Sequence, residues 1–143
     1  MIEVKRSTPA TLERVWALLS DVDNWPRVLP TFDSVSRVGG DGRVGVGARF
    51  EGKQPGLAKA VYEITEWQSG RSFTWVSAAS GVRTTASHRL EAEADGTRLI
   101  LTVVWSGPLA WLARLLFGRK SSKMVQQEAD IFVRLAEDAG RRG

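Results

Sequence analysis

Lys123-Met124-Val125-Gln126-Gln127-Glu128-Ala129-Asp130-Ile131-Phe132-Val133-Arg134-Leu135-Ala136-Glu137-Asp138-Ala139 lies near the end of a 143-residue chain and holds neither Gly nor Pro. Val125, Ala129, Phe132, Ala136 and Ala139 recur at steps of four, three, four and three. That spacing marks one face of an α-helix. Met124, Ile131 and Leu135 widen the face. Just upstream, Gly118-Arg119-Lys120-Ser121-Ser122 predicts an interruption that separates this helix from an apolar segment, Pro108–Phe117. Almost everything between Phe32 and Trp105 reads instead as short strands. A long helix with a broad apolar face, following many strands, predicts a curved sheet wrapped around a helix. The question it leaves is whether the space between them is filled core or ligand cavity.

Working back from that helix, Ile2 to Arg6 alternates as a strand does. Thr8 and Pro9 predict a helix start, with Thr8 as N-cap and Pro9 at the first helical position. Leu12, Val15, Trp16 and Leu19 continue it as an amphipathic helix. Ser20 to Asn24 breaks the pattern. Asp23 or Asn24 then caps a short second helix carrying Trp25, Val28 and Leu29, and Pro30 ends it. Asp21 and Asp23 read as helix caps rather than as a carboxylate pair or metal site.

After a strand at Phe32–Val38, Gly40-Asp41-Gly42-Arg43-Val44-Gly45 matches the G-x-G-x-x-G pattern of dinucleotide sites. That mechanism needs a helix directly after the loop, to offer its N-terminus to pyrophosphate. Here Ala48-Arg49-Phe50-Glu51 alternates like a strand, so an Asp41-Gly42 hairpin turn is the better reading. Strands follow at Ala58–Trp67, Ser72–Ser77, Val82–Ala92 and Thr97–Trp105, separated by Ser69-Gly70, Ser80-Gly81 and Asp95-Gly96. Short turns between successive strands make an antiparallel meander. One strand, two helices, six strands and a long helix give an α+β arrangement over a single domain, residues 1–143, with a frayed tail from Gly140 to Gly143.

Composition narrows the chemistry. Hydrophobic residues make up 43% and charged residues 25%, as in an ordinary globular chain. Cysteine is absent, which excludes disulfides, thiolate metal sites and a cysteine nucleophile. His88 is the single histidine, so no His-rich metal site exists and no metal or other cofactor is expected. The first residues lack the apolar core of a signal peptide, and no apolar run approaches a membrane span, so a cytoplasmic location is expected. The net charge of +4 comes from dispersed Lys and Arg, without the dense basic patch of nucleic-acid modules, and nucleic acid is not an expected partner. Six tryptophans favour large apolar contacts, in a core or around an aromatic pocket.

Alternation assigns the strand faces. Val82, Thr84, Ala86, His88, Leu90 and Ala92 form the inner set of their strand, leaving Arg83 and Arg89 to solvent. Leu99, Leu101, Val103 and Trp105 point inward from the last strand, with Ile100 and Val104 outside, and Phe73 and Trp75 point inward from another. In Ala58–Trp67, Tyr62 with Ile64 competes with Val61 with Trp67, and the first pair is preferred. Many inner positions are small, which leaves room on a concave sheet.

The ordered set Thr8-Pro9-Ala10 with Val15-Trp16, Asp21-Val22-Asp23-Asn24-Trp25-Pro26, Gln54-Pro55-Gly56-Leu57, Phe73-Thr74-Trp75, Gly96-Thr97-Arg98 and Trp105-Ser106-Gly107-Pro108-Leu109 resembles the START-like, helix-grip superfamily (SRPBCC proteins). This superfamily includes the birch pollen allergen fold and the polyketide cyclase/dehydrase group, and the resemblance spans essentially the whole chain. It implies a seven-stranded curved antiparallel sheet gripping the last helix, two short helices after the first strand, and an internal apolar cavity. Some members carry lipids, sterols, hormones or quinones. Others catalyse aldol cyclisation, aromatisation or dehydration of polyketides. The superfamily has no universal catalytic motif, so no catalytic residue transfers.

The expected cavity lining is Trp16, Phe50, Tyr62, Phe73, Trp75, Thr84, Ala86, His88, Leu90, Leu101, Val103 and Trp105 from the helices and sheet, with Val125, Ala129 and Phe132 as its roof. Ordinary core packing remains the alternative for the aromatics. His88 is either a general base able to take a proton alpha to a ketone, assisted by Tyr62, Thr84 and Arg49, or a hydrogen-bonded core residue. Pro108–Lys123 either closes the cavity mouth or makes transient contact with an anionic membrane through Leu, Trp and Phe beside basic residues. The reading adopted is a binder of a small hydrophobic or amphipathic ligand such as a lipid, polyketide or quinone. A cyclase, aromatase or dehydratase using His88 is the alternative, and an adaptor working through Leu109–Lys123 a weaker one. Sequence leaves the oligomeric state open.

Overall fold

A computed structural model describes residues 1–40 and 42–142, residues 140–142 by their backbone alone. Strand β1 (Ile2–Thr8) leads to helix α1 (Leu12–Leu19), a 3-10 turn (Val22–Asn24) and the one-turn helix α2 (Trp25–Val28). Strands β2 (Ser34–Val38), β3 (Arg49–Lys53), β4 (Ala60–Gln68), β5 (Ser72–Ala79), β6 (Val82–Glu93) and β7 (Gly96–Ser106) follow, and α3 (Ala110–Arg142) closes the chain. The seven strands form one antiparallel sheet in the order β1-β7-β6-β5-β4-β3-β2. Every neighbour except β1–β7 is joined in sequence, as the meander predicted. A strand follows the glycine-rich loop, and the pairing of β2 with β3 spans it. The expected turn there includes Asp41, which lies outside the described residues.

The N-terminal helix begins later than its sequence predicts. Thr11, not Thr8, is the N-cap of α1, and its hydroxyl accepts from the Arg14 N–H. Thr8 completes β1, paired with Thr97, and its hydroxyl accepts from the Ala10 N–H. The ladder to β7 thus holds the backbone extended through Thr8. Asn24 takes the N-cap position of α2, but among the described residues no side chain caps this helix: Asn24 instead donates to the Asp21 carboxylate at 2.7 Å.

The larger correction concerns α3. It is one continuous helix of 33 residues, with no interruption at Gly118–Ser122. An isolated Gly in a helix costs only about 1 kcal/mol relative to Ala, and helix-forming Leu, Lys, Met and Gln surround it. The helix also runs past Gly140 to Arg142, beyond the predicted fraying; Gly143 lies outside the described residues. Its buried residues include Val125, Glu128, Ala129, Ile131, Phe132 and Ala136, whereas Ala139 is exposed. Polar contacts pin it at both flanks: Arg6 Nε donates to Asp130 at 2.7 Å, Thr8 Oγ1 to Glu137 at 3.0 Å, and Thr31 Oγ1 to Glu128 at 2.8 Å.

A β-bulge resolves the ambiguous parity of β4. Ile64 pairs with Trp75 and Glu66 with Thr74, so Thr65 is the extra residue. The bulge lets Tyr62, Ile64 and Trp67 all face inward, and Val61 is exposed. Trp67 then meets Trp16 edge-on at 5.2 Å between ring centroids. Ile100 is the exception on the outer face: it is buried, flanked in register by Lys5 and Arg89. Gly96 opens β7 with φ +151°, where a Cβ would lie 2.0 Å from the Thr8 carbonyl oxygen. The crossing of β1 into α1 therefore needs glycine at that place.

Candidate ligand-binding cavity

Between sheet and α3 lies a cavity of about 380 Å³. It occupies one end of the grip only. Along β6, Val82, Thr84, Ala86 and His88 line it, while Leu90 does not. Along β5 the wall is Trp75, Ser77 and Ala79, and along β7 it is Leu101, Val103 and Trp105. Tyr62 of β4 completes the sheet side, and Trp25 and Phe32 close one flank. The roof comes from Ala113, Phe117, Ser121, Met124, Val125 and Glu128 of α3.

The expected lining residues thus divide. Tyr62, Trp75, Thr84, Ala86, His88, Leu101, Val103, Trp105 and Val125 come together around the cavity. Trp16, Phe50, Phe73, Leu90, Ala129 and Phe132 lie in the hydrophobic core outside its wall. The physical reason is α1. It packs across β6 and β7 and brings Val15 and Leu19 into the space that Leu90 and Leu99 would otherwise face. The roof accordingly reaches from Glu128 back to Ala113, near the start of α3, and shares Val125 with the expected one. Arg49 is exposed on the face opposite Phe50 and reaches no cavity group.

His88 sits at the boundary between core and cavity. Its ring stacks on Phe73 at 4.1 Å with 14° between planes. Its Nδ1 lies 3.2 Å from the Phe73 carbonyl oxygen. A carbonyl only accepts, so Nδ1 carries the proton and the free lone pair is on Nε2. Burial lowers the His88 pKa from 6.5 to about 4, although the bond to Phe73 acts in the other direction. The imidazole is therefore neutral at physiological pH.

Two further groups are chemically prominent. Glu128 is buried, and burial raises its carboxyl from 4.5 to about 7 against the opposing effect of the Thr31 hydrogen bond. The Tyr62 phenol is also raised, by burial first and by Glu128 second. Tyr62 stacks on Trp75 at 4.7 Å with 27° between planes. Trp25 contributes a buried indole N–H with no hydrogen-bond partner among the described residues. Sequence reasoning passed over Glu128 and Trp25. The signal for Glu128 was present: it stands three residues after Val125 and four before Phe132, a carboxylate on the apolar face of the helix.

The mouth side of α3 is apolar on its outer surface as well. Trp111 is 58% exposed, Leu115 74% and Leu116 62%. Among the described residues, no helix is long and apolar enough to cross a membrane.

A family model described as "Polyketide cyclase / dehydrase and lipid transport" matches residues 1–137. The chain belongs to this family. No curated protein matches the sequence. Among solved structures, this polyketide cyclase/dehydrase and lipid transport family chain superposes on TTHA0849 of Thermus thermophilus with a TM-score of 0.75 at 21% identity, covering 96% of this chain and 97% of that one. Norcoclaurine synthase of Thalictrum flavum, in complex with dopamine and hydroxybenzaldehyde, gives 0.74 at 14% identity over 96% and 86%. The di-domain ARO/CYC StfQ of the steffimycin biosynthetic pathway gives 0.70 at 16% identity over 97% and 51%. At such identities the likeness is one of fold, and it agrees with the helix-grip architecture of the birch pollen allergen type.

Proposed function

We propose that this family member binds one small hydrophobic or amphipathic molecule in the cavity beneath the first half of α3. The observation that carries the reading is the cavity itself: about 380 Å³, its aromatic and aliphatic walls interspersed with polar side chains such as Ser77, Thr84 and Glu128. That volume falls in the range of small-molecule sites. The family description, and the two aromatic ligands held by norcoclaurine synthase on the same fold, support it. A cyclase or dehydratase using His88 as general base has less support. A base whose conjugate acid has a pKa of about 4 gives little driving force for removing a proton alpha to a ketone.

Ala86 lies on the cavity floor and Val104 on the outer face of the adjacent strand. Ala86→Phe should weaken binding of an apolar fluorescent dye by about tenfold or more, since overfilling a packed wall costs about 1–3 kcal/mol. Val104→Phe should leave dye affinity unchanged. Equal affinities for the two variants in a titration would place the dye elsewhere and remove the cavity reading.

The exposed turns of α3 support a site of ligand exchange at an anionic membrane. Trp111, Leu115 and Leu116 are flanked by Arg114, Arg119, Lys120 and Lys123, and no Asp or Glu occurs between Asp95 and Glu128. An apolar centre with a cationic rim suits an anionic lipid surface. The protein should co-sediment with vesicles containing phosphatidylglycerol and not with pure phosphatidylcholine, and Trp111→Glu with Lys123→Glu should release it. Wild-type protein remaining in the supernatant with both vesicles ends this part of the reading.

A further inference from the structure

Among the described residues, Glu128 is the one acidic residue in the cavity wall, and none of them forms an ion pair with it. Its single hydrogen bond among the described residues comes from Thr31 at 2.8 Å and reaches one carboxylate oxygen, Oε1. None of the ion pairs between described residues includes it. Among the described residues, the only Lys or Arg in the wall is Lys59, whose side chain is largely exposed and lies 3.8 Å from Glu51. A buried carboxylate left in this condition is costly and is normally balanced by a cation or by a proton.

The surroundings favour a cation. Trp25, Phe32, Tyr62 and Trp75 present aromatic rings to the same cavity, with Trp25 and Phe32 5.5 Å apart and Trp25 and Trp75 5.2 Å apart. Aromatic faces attract cations through their ring quadrupoles, more strongly where water is excluded. Phe32 directly follows Thr31, so the ring and the hydroxyl that orients Glu128 arrive on one turn of chain. The rest of the wall (Leu101, Val103, Met124 and Val125 among it) suits an apolar body.

Resting on the ligand-binding reading above, we propose that Glu128 is the counter-ion for a ligand carrying a protonated amine on an apolar body. The carboxylate pairs with the ammonium, the aromatic rings shield the pair from water, and the body fills the space toward Trp105 and Phe117. Among the described residues, the titratable or charged groups facing the cavity besides Glu128 are Tyr62 from β4, His88 from β6 and Lys59 from the loop before β4. Tyr62 stays protonated and His88 neutral from mildly acidic to mildly alkaline pH, so Glu128 governs the pH response there.

The test is competition of decylamine, decanol and decanoate against a cavity-bound apolar dye, using the full chain. At about pH 8, decylamine should displace the dye about tenfold better than decanol, and decanoate should be the weakest. In Glu128→Gln the preference for amine over alcohol, each taken relative to the dye affinity of that same variant, should fall to about threefold or less. In wild type it should shrink at about pH 5.5, where Glu128 holds a proton and the amine remains charged. Equal displacement by amine and alcohol in wild type overturns the proposal, as does a preference that survives Glu128→Gln. Stronger binding of decanol also overturns it and assigns Glu128 to a neutral hydrogen bond. These outcomes leave cavity binding intact. Failure of the dye and all three competitors to bind removes the binding reading as well.

Discussion

Trp25→Ala is expected to lower the unfolding free energy by about 3–5 kcal/mol, the range for truncating a large buried aromatic side chain. Trp25 is 1% exposed and is the place where α2, the sheet and α3 meet. Its ring centroid lies 5.2 Å from Trp75, 5.5 Å from both Phe32 and His88, 5.7 Å from Phe132 and 6.1 Å from Phe73. α2 itself has one turn and no side-chain cap, too little to hold a helix alone. Packing of Trp25 is therefore what fixes this segment and, through Phe32 and Thr31, the contact to Glu128. A typical domain has about 5–15 kcal/mol in total, so the variant should sit close to its unfolding limit. The unpartnered indole N–H works against the native residue. Trp25→Phe should consequently lose less than Trp25→Ala, and Trp111→Ala, at a position 58% exposed, should lose almost nothing. Urea titrations followed by far-UV circular dichroism measure all three. A loss for Trp25→Ala no larger than for Trp111→Ala would show that the ring cluster does not hold the fold.

That hub marks the boundary of what the sequence could disclose. Strand alternation put Thr84, Ala86, His88 and Leu90 on one face, and all four do face the helix. A period of two carries no information on position along the strand, however. Whether Leu90 meets a ligand or a core depends on where α1 lies across β6, a tertiary fact that no local pattern encodes. The same ignorance placed Ala129 and Phe132 in the roof, although α3 presents Phe117, Ser121, Met124 and Val125 there. The break assigned to Gly118 failed for a different reason: a lone glycine is a weak helix penalty, and the flanking residues outvote it. The bulge at Thr65 explains why two parities for β4 competed, since each is correct on its own side of it. Glu128 was legible in principle. A charged residue on an apolar helical face is anomalous in a pattern of period 3.6, and such an anomaly points to a site as readily as a motif does.

Glu128→Gln is expected to stabilise the protein at about pH 8 by about 3 kcal/mol and to turn a nearly flat acid response into a steep one. In the folded chain the Glu128 carboxyl stands at about 7 against an ordinary 4.5, because burial penalises its charge. Between those values the native state binds more protons than the unfolded state, so stability falls as pH rises through the window. At about 1.4 kcal/mol per tenfold in proton affinity, the displacement is worth about 3 kcal/mol, lost by about pH 8. His88 does the reverse. Its pKa falls from 6.5 to about 4, so the unfolded state binds the extra proton and stability is lost as pH falls from 6.5 toward 4. Over the overlap, from about pH 4.5 to 6.5, the two slopes oppose each other with similar size, and the wild-type protein should show a nearly flat profile. Glu128→Gln retains the shape and can still bond Thr31, but removes one slope. Its stability should then fall steeply below about pH 6.5 while exceeding that of wild type above about pH 7. His88→Gln should show the complementary profile, most stable in acid and weakening toward pH 7. Chemical denaturation at half-unit pH steps separates the three curves. A steep acid loss in wild type, or parallel curves for wild type and Glu128→Gln, would mean that the buried carboxyl is not destabilised by its surroundings. The cavity would then lack the uncompensated charge on which recognition of an amine depends.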